Sequence, residues 1–385
     1  MSDPQTEAAL GDILVVDDMP SNLRLLSQTL AEKGYGVRTV TSGPRALESA
    51  RTAPPDLILL DVRMPDMDGY EVCAQLKQDE RTAQIPVIFI SALDQVDDKV
   101  QAFQYGGVDY ITKPFQVEEV LARTETHLSL RRLQESLENI NQRMQREFML
   151  AGAVQSSFLP SKMPEIPSWQ LAASLRSARE TSGDFYDIIQ LPNGLFGLLI
   201  ADVVDKGVPA ALLMAMSWSL IWSYAIQHPD SPHTVFEEVN RRLLLHLGGS
   251  YFLTCFYAIL NPETGSLTYC NAGQPPPLHL KKKRGEIDRL SRTGPPLGVL
   301  EESRWDTLDV IIGSGETLIL YTDGVTDSCN TQGEFYGTAR LNSFAMKQKA
   351  KSAQTVHDNL LANIDEFVTG EVQFDDTALI VLRHT

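Results

Sequence analysis

Continuous apolar runs alternate with helix-like stretches over roughly residues 10–125. Three such runs, 13–17, 56–61 and 86–91, each end at an acid or a hydroxyl residue. Apolar runs without alternation indicate parallel strands that are covered on both faces. Helix-like stretches, for example 21–33 and 69–78, lie between them. The pattern predicts a doubly wound α/β domain with a parallel sheet.

Apolar positions spaced mostly three and four apart follow over roughly residues 116–159. Glu, Gln and Arg fill the other helical positions, which is typical of a coiled-coil seam of about four heptads. Glu147 falls where an apolar residue is expected, with Phe148 beside it, and prolines within 159–167 end the helix. The pattern favours a helix that pairs with a second copy; a single helix lying on a neighbouring domain is the alternative. The apolar positions are Leu130, Leu133, Leu137, Ile140, Met144, Ala151, Val154 and Phe158.

Strand-like runs dominate the rest of the chain, roughly 168–385. Helical stretches interrupt them at 209–227, about 232–247 and about 338–368, so an α+β layout is expected, with strands in hairpin order and helices packed outside. We predict three domains in all: 11–125, a helical linker over 126–158, and 159–385. The strand-like runs are 194–202, 251–260, 266–273, 316–324 and 374–383.

Composition narrows the function classes. The 385 residues are 43% hydrophobic, which is enough for folded cores. A net charge of −17 argues against non-specific nucleic-acid binding. Four scattered cysteines without a CxxC pair predict free thiols in a reducing compartment, and the acidic, polar N-terminus does not resemble a signal peptide. A cytoplasmic protein is expected.

Three aspartates of the α/β domain are expected to meet at one edge of its sheet. Asp17, Asp18 and Asp61 stand at the carboxyl ends of predicted strands, with Ser91 and Lys113 nearby. Three carboxylates repel one another unless a cation lies among them, and oxygen ligands suit Mg²⁺. A carboxylate can also act as a nucleophile toward phosphorus.

This segment resembles the response-regulator receiver family. The motifs VVDD, DVRMPDMDG, ISA and DYITKPF occur in the family's order and spacing over about 11–125. The resemblance implies phosphorylation of Asp61 by a sensor histidine kinase. It implies Mg²⁺ ligands at Asp17, Asp18, Asp61 and the carbonyl of Arg63. It also implies that Ser91 and Lys113 contact the phosphoryl group and that Tyr110 moves with Ser91. DMDG (66–69) lacks the other ligands of a calcium loop and is predicted to be a turn.

Acid clusters recur in four separate segments of the C-terminal domain. They are TSGDFYD (181–187), ADVVDKG (201–207), YTDG (321–324) and FDD (374–376). The absence of histidine beside them disfavours zinc and favours Mg²⁺ or Mn²⁺. Two such ions can share a bridging water and hold a phosphoryl group for in-line attack. No serine–histidine, cysteine–histidine or P-loop pattern competes with this interpretation.

From about residue 150 onward the chain resembles the metal-dependent PPM (PP2C-type) serine/threonine phosphatases. It looks most like the branch of stage II sporulation protein E and the sigma-factor regulators. AVQSSFLP, SGDFYD, ADVVDKGVPAALLMA, NAGQPPPL, GPPLG, YTDGVTD and FDDTALIVL follow in family order. The resemblance implies an α-β-β-α sandwich and a catalytic centre at Asp184 and Asp202. It implies two Mn²⁺ or Mg²⁺ ions held by Asp184, Asp202, the Val203 carbonyl, Asp323 and either Asp375 or Asp376, with Asp375 favoured.

The resemblance also bears on an uncharged apolar run at 209–226. Its 18 residues reach the lower limit of a membrane span. The family packs a helix of this kind on its sandwich, so no membrane is expected. Three positions depart from the family: Asp205 replaces a common glycine, Gln274 replaces a histidine, and DDTA lacks a threonine.

Together these features predict a two-component response regulator. Phosphorylation of Asp61 would act through the helical linker, within a homodimer, on a phosphatase whose substrate is a phosphorylated anti-sigma-factor antagonist. The alternative is a phosphatase-fold binding module that has lost turnover. A transcription factor is disfavoured because no helix-turn-helix or basic patch for DNA is evident.

Overall fold

The computed structural model describes residues 10–92, 96–160, 162–282, 286–370, 373 and 375–385. The chain forms two compact units, Met1–Arg143 and Met144–Thr385. Phe374, where the last predicted strand begins, lies outside the described residues.

The first unit contains a parallel five-stranded sheet in the order β2-β1-β3-β4-β5, as the apolar runs predict. Leucine, isoleucine and valine from β1, β3 and β4 are fully buried between two layers of helices. The strands are β1 (Asp12–Val16), β2 (Gly36–Val40), β3 (Leu57–Asp61), β4 (Val87–Ser91) and β5 (Asp109–Thr112). The helices are α1 (Pro20–Glu32), α2 (Gly43–Thr52), α3 (Gly69–Gln78), α4 (Val96–Gln104) and α5 (Val117–Ser156).

Helix α5 is 40 residues long and passes from the first unit into the second. Its predicted apolar row is solvent-exposed in the single chain from Leu130 to Met144 and again at Val154. The last predicted seam position is wrong. Phe158 lies beyond the end of α5 and packs edge-on against Trp218 at 5.3 Å between ring centroids, within the second unit.

The second unit is an α-β-β-α sandwich, as expected from the resemblance. Two antiparallel five-stranded sheets have the orders β13-β10-β9-β8-β7 and β12-β11-β14-β15-β6. Residues from both sheets share one apolar core, while α6 and α7 cover the first sheet and α9 and α10 cover the second.

The strands of this unit are β6 (Trp169–Arg176), β7 (Phe185–Gln190), β8 (Phe196–Val203), β9 (Leu253–Leu260), β10 (Ser266–Ala272), β11 (Leu278–Leu280), β12 (Ile287–Arg289), β13 (Leu308–Ile311), β14 (Thr317–Tyr321) and β15 (Thr377–His384). The helices are α6 (Val208–Gln227), α7 (Pro232–Leu247), α8 (Asp323–Thr326), α9 (Gly337–Met346) and α10 (Ala353–Val368), and one 3₁₀ turn spans Pro192–Gly194.

The apolar run forms α6. Among the described residues it is the helix long and apolar enough to cross a membrane, with a mean hydropathy of 1.4. Its buried residues, which include Leu213, Met214 and Ile221, pack into the core formed with α7 and the first sheet. The predicted role of this run, a helix packed on the sandwich, agrees with that contact.

The prediction of a single late helix over 338–368 is wrong. The structure divides it into α9 and α10, which are separated by residues 347–352. Ala350 has a φ of +67°, which a continuous α-helix does not accommodate. Ser352 then caps α10 by accepting a hydrogen bond from the Thr355 amide.

Candidate functional site

Three carboxylates of the first unit converge at the carboxyl edge of its sheet. Asp17 follows β1, Asp61 ends β3, and ligand oxygens of Asp17, Asp18 and Asp61 lie within 4.8 Å of one another. The Lys113 ammonium contacts Asp17 Oδ2 and Asp61 Oδ2, each at 2.8 Å. The structure thus brings together the acids and the lysine that the sequence analysis selected.

Asp61 is buried with little positive charge to offset it. Burial raises the pKa of Asp61 above its ordinary value, Lys113 opposes that shift, and Asp17 adds to it. One ammonium faces three carboxylates, which leaves net negative charge among oxygen atoms. This donor set fits a hard divalent cation such as Mg²⁺.

The loop after Asp61 is held tightly against it. The Arg63 amide lies 3.4 Å from Asp61 Oδ1. A Cβ at Gly69 would lie 2.3 Å from the Asp61 carbonyl oxygen, so glycine is required there for steric reasons. Asp68 caps α3 by accepting a hydrogen bond from the Glu71 amide at 2.8 Å. The DMDG motif is therefore a turn that begins a helix, as predicted.

The remaining predicted residues of this site lie on neighbouring strands. Ser91 is buried at the end of β4, and its carbonyl accepts a hydrogen bond from the Lys113 amide at 2.7 Å. Tyr110 is half-buried on β5, with its ring edge-on to Phe103 at 6.5 Å. Their proposed coupled movement stays a prediction.

In the second unit, two carboxyl groups meet where β7 and β8 pair. Phe185 pairs with Ala201, so the preceding Asp184 lies opposite Asp202. The two carboxyl groups interact electrostatically, since the charge of Asp202 raises the pKa of Asp184. Asp323 begins α8 directly after β14. Antiparallel pairing and one strand–helix junction thus place the three acids at one end of the sandwich.

The negative charges of these buried carboxylates repel one another. Burial raises the pKa of Asp184 well above its ordinary value, and the charge of Asp202 adds to the shift. Burial also raises the pKa of Asp202, with further contributions from Asp323 and Asp375. Such mutual repulsion among buried carboxylates is the condition that a bound divalent cation relieves.

The spacing of the acids differs between the two units. In the part of the chain that the structure describes, the acid cluster with ligand oxygens all within 4.8 Å is that of the first unit. The acids of the second unit are therefore more widely spaced. Carboxylate oxygens of this kind suit Mg²⁺ or Mn²⁺, so the residues present fit a divalent cation, and the pair of ions stays a prediction.

The two adjacent aspartates near the C-terminus have different surroundings. Both carboxylate oxygens of Asp376 accept backbone hydrogen bonds at 2.8 Å, from the amides of Ala178 and Gly183. Asp375 instead faces the Lys206 ammonium at 3.0 Å. Asp376 thus holds the backbone of two segments, whereas Asp375 pairs with a lysine, and the choice of Asp375 as the metal ligand stays a prediction.

The sequence analysis missed two residues that position Asp184. Thr322 donates a hydrogen bond to Asp184 Oδ2 at 2.6 Å and accepts one from the Ala378 amide at 2.9 Å. Gln155, on α5, donates to the Ser182 carbonyl and accepts from the Ser182 amide at 2.9 Å. Thr322 lies inside the YTDG motif and Gln155 lies inside AVQSSFLP. The sequence alone does not show that they contact Asp184 and Ser182, because these partners are far away along the chain.

Two of the departures from the family pattern have structural counterparts. Asp205 has a φ of +86°, a left-handed conformation in which glycine is favoured. Its side chain accepts a hydrogen bond from the Lys206 amide at 2.8 Å. Gln274 is fully buried and donates to the carbonyl of Thr254, which pairs with Asp202. A glutamine at this position therefore supports the strand beside Asp202.

Comparison with known families gives two matches that divide the chain. Residues 13–125 match the response regulator receiver domain. Residues 192–385, half of the chain, match stage II sporulation protein E (SpoIIE). The chain is thus a receiver domain joined to a SpoIIE-type, PP2C-like domain.

Individual relatives agree with this division. Protein IcfG of Synechocystis is 30% identical over 259 residues, covering 60% of this chain and 40% of IcfG. Phosphoserine phosphatase RsbU of Bacillus subtilis is 29% identical over 253 residues, covering 65% of this chain and 73% of RsbU. The SiaA-PP2C domain of Pseudomonas aeruginosa has a TM-score of 0.58 at 17% identity, covering 64% of this chain and 99% of that domain. That last likeness shows the fold.

Proposed function

The chain belongs to the SpoIIE family, and from that premise we propose that it is a response regulator that removes phosphate from a phosphoprotein. The observation that carries the proposal is the paired Asp184 and Asp202 carboxyl groups at the junction of β7 and β8. Buried acids whose charges raise one another's pKa values are arranged for cations rather than for one another.

Two Mn²⁺ or Mg²⁺ ions would be held by four carboxylates and one carbonyl, those of Asp184, Asp202, Asp323, Asp375 and Val203. When bound, such ions lower the pKa of a shared water and neutralise phosphoryl charge. The chain's own contribution is to fix the ligands. Thr322 holds one oxygen of Asp184. A Cβ at Gly183 would lie 3.1 Å from the Val203 carbonyl oxygen, so glycine at this position lets the two loops approach closely.

The receiver would accept a phosphoryl group from a sensor histidine kinase. Asp61 is the acceptor, because its carboxylate lies beside Lys113 and within the acid cluster that would hold Mg²⁺. Lys113 would neutralise charge on the new phosphoryl group, and the buried Ser91 would donate its hydroxyl to it. This adds charge at one end of the sheet, which requires a bistable element to have effect elsewhere.

Helix α5 is the proposed bistable element. It begins within the first unit at Val117 and ends within the second at Ser156. Near its end, Gln155 holds both backbone polar atoms of Ser182, two residues before Asp184. A small rotation or shift of α5 would therefore change the position of a proposed ligand directly.

A homodimer formed along α5 is the proposed setting for such a shift. Five apolar side chains of one helical row are 46% to 68% exposed: Leu130, Leu133, Leu137, Ile140 and Met144. A long apolar stripe at this spacing is stabilised when it packs on an equivalent helix. A change of mass in solution on phosphorylation would support this setting. The proposal would be contradicted if the unphosphorylated and phosphorylated proteins had the same mass in solution and the same phosphatase rate.

The proposed substrate is a phosphoserine or phosphothreonine on a small protein, in keeping with the name of the relative RsbU. An anti-sigma-factor antagonist is the proposed identity. The proposed location is the cytoplasm, in keeping with four free cysteines and no disulfide among the described residues.

Phosphate release from p-nitrophenyl phosphate, with and without Mn²⁺, tests the proposed activity. We expect Mn²⁺-dependent turnover that is lost in Asp202→Asn. Calorimetric Mn²⁺ titration of both proteins gives a second readout. Mn²⁺ binding without hydrolysis of this ester or of a phosphorylated partner protein would indicate the alternative, a binding module that has lost catalysis.

A further inference from the structure

Basic residues are concentrated in two short segments of the second unit. Residues 161–385 contain 18 Lys+Arg and 26 Asp+Glu, a net charge of −8. The segments 281–289 and 340–351 contain nine of those 18 basic residues and two of the acids. The remainder of this part of the chain is therefore strongly acidic, and its positive charge is localised.

Described residues of the two segments contact one another. The Lys349 ammonium donates hydrogen bonds to the carbonyls of Lys281 and Glu286, at 2.9 and 3.3 Å. Arg289 donates to the Asn342 side chain at 3.0 Å. The loop before β12 is thus attached to α9 and to the segment that follows it.

Beside these contacts, α9 and α10 leave an open groove of about 860 Å³. We call it the basic groove. Its rim carries three cationic side chains and one acid, Glu366, and its floor is aromatic. The rim cations are Arg340, Lys347 and Lys351, and the floor residues are Tyr336, Phe344 and Phe367.

Two of the three rim charges are available to a partner, because Arg340 already pairs with Glu334 at 3.0 Å. Lys347 and Lys351 are exposed and form no ion pair with any residue that the structure describes. Arg340 lies 4.7 Å from the centre of the Phe367 ring, so charge and aromatic surface are adjacent. Cations above an apolar floor fit a peptide or helix that presents both acidic and apolar side chains. A flat membrane or a DNA duplex would reach the rim but not the floor.

The basic loop before β12 lies away from the carboxylates. Leu280, which precedes the basic loop, pairs with Thr317, the first residue of β14. Asp323 follows Tyr321, the last residue of β14. The strand thus separates the basic loop from the acids by roughly 15 Å along its length. A partner bound beside the basic loop would leave the carboxylates accessible.

We propose that the basic groove docks an acidic segment of a partner protein that also carries apolar side chains. Charge complementarity supports this occupant, because the rest of the unit repels acidic chains and the groove attracts them. The proposal does not depend on phosphatase activity, since docking requires only the groove.

Binding of a labelled glutamate–tyrosine copolymer to the full chain tests the proposal by fluorescence anisotropy. We expect binding that weakens with salt and falls about tenfold or more in Lys347→Glu/Lys351→Glu. The matched control is Arg24→Glu/Lys33→Glu, which changes net charge equally at two exposed receiver positions and should bind like the wild type. A third variant, Phe367→Ala, tests the floor and should also weaken binding.

Three outcomes would overturn the proposal. One is no binding of the copolymer by the wild type at low salt. Another is an equal loss in the two charge-reversed variants, since bulk charge would then explain binding. The third is binding of phosphatidylglycerol vesicles or duplex DNA in place of the copolymer, which would assign the surface to a different class of partner.

Discussion

Gln155 holds Ser182 by both of its backbone polar atoms, donating to the carbonyl oxygen and accepting from the amide nitrogen. The glutamine is buried near the end of α5, and the serine lies two residues before Asp184. This is a direct link between the linker helix and a proposed metal ligand. Through this contact, a movement of α5 would shift the segment that carries Asp184, as the proposed regulation requires.

Replacement of Gln155 tests this link. Gln155→Ala removes two hydrogen bonds and leaves buried backbone groups unpaired, at a cost of about 1–3 kcal/mol. We expect phosphate release to fall about tenfold or more, because the loop carrying Asp184 loses its position. Val154→Ala, at a neighbouring exposed position, is the control and should retain the wild-type rate. Equal rates in both variants would show that the contact is dispensable.

Thr322 provides a second test of ligand positioning. Thr322→Val keeps the shape but removes the donor to Asp184 and the acceptor for the Ala378 amide. We expect a loss of about 1–3 kcal/mol in the free energy of unfolding and weaker calorimetric Mn²⁺ binding. Thr322→Ser keeps the hydroxyl and should restore Mn²⁺ affinity. If valine and serine behave alike, the hydroxyl does not position Asp184.

Gly69 tests the loop around the proposed phosphoacceptor. In Gly69→Ala the new Cβ would lie 2.3 Å from the Asp61 carbonyl oxygen, so the backbone must move. We expect about 1–3 kcal/mol of destabilisation of the receiver and weaker binding of beryllium fluoride. Gly313→Ala, where the nearest atom lies 3.4 Å away, should leave both measurements unchanged. Wild-type beryllium fluoride affinity in Gly69→Ala would contradict this steric argument.

A buried histidine predicts acid sensitivity of the second unit. His279 is fully buried and contacts Glu316 at 2.8 Å, and burial lowers the pKa of His279 below its ordinary value of 6.5. On acidification the unfolded chain binds a proton near pH 6.5 while the folded chain resists it. The contribution of His279 to stability should therefore fall as the pH drops below about 6.5, whereas the raised pKa of Asp202 contributes with the opposite sign in this range.

Urea unfolding between pH 7.5 and 5.5 measures this dependence. His279→Gln, which has no titrating ring, should be more stable at pH 5.5 relative to pH 7.5 than the wild type is, because the destabilising contribution of His279 is removed. The Glu316 carboxyl has a lowered pKa, so its own contribution is lost at lower pH, beneath its ordinary value of 4.5. An unchanged slope in His279→Gln would assign the acid sensitivity to other groups.

Much of the fold was predictable because burial leaves a periodic pattern in the sequence. Helices α3 and α7 have the bounds that their apolar spacing indicates, and the parallel strands follow continuous apolar runs. Short edge strands such as β12 carry no such pattern, because they are mostly exposed. The break between α9 and α10 was missed although residues 347–352, KQKAKS, contain one apolar residue, and the left-handed Ala350 has no sequence signal of its own.

The candidate sites were only partly predictable from the sequence. Acids at strand ends are visible in the sequence, and the structure brings Asp17, Asp18 and Asp61 together as expected. Contacts between distant segments are not visible in that way. The different surroundings of Asp375 and Asp376 depend in part on two backbone amides that only the fold brings to Asp376.

The most direct measurement is the Mn²⁺-dependent rate of phosphate release with and without beryllium fluoride, which mimics a phosphorylated Asp61. Wild type, Asp61→Asn and Gln155→Ala should be compared at equal concentration. We expect beryllium fluoride to change the wild-type rate and to leave the rates of both variants unchanged. An unchanged wild-type rate, in a protein shown to bind beryllium fluoride and to hydrolyse the ester, would contradict control of the phosphatase by the receiver.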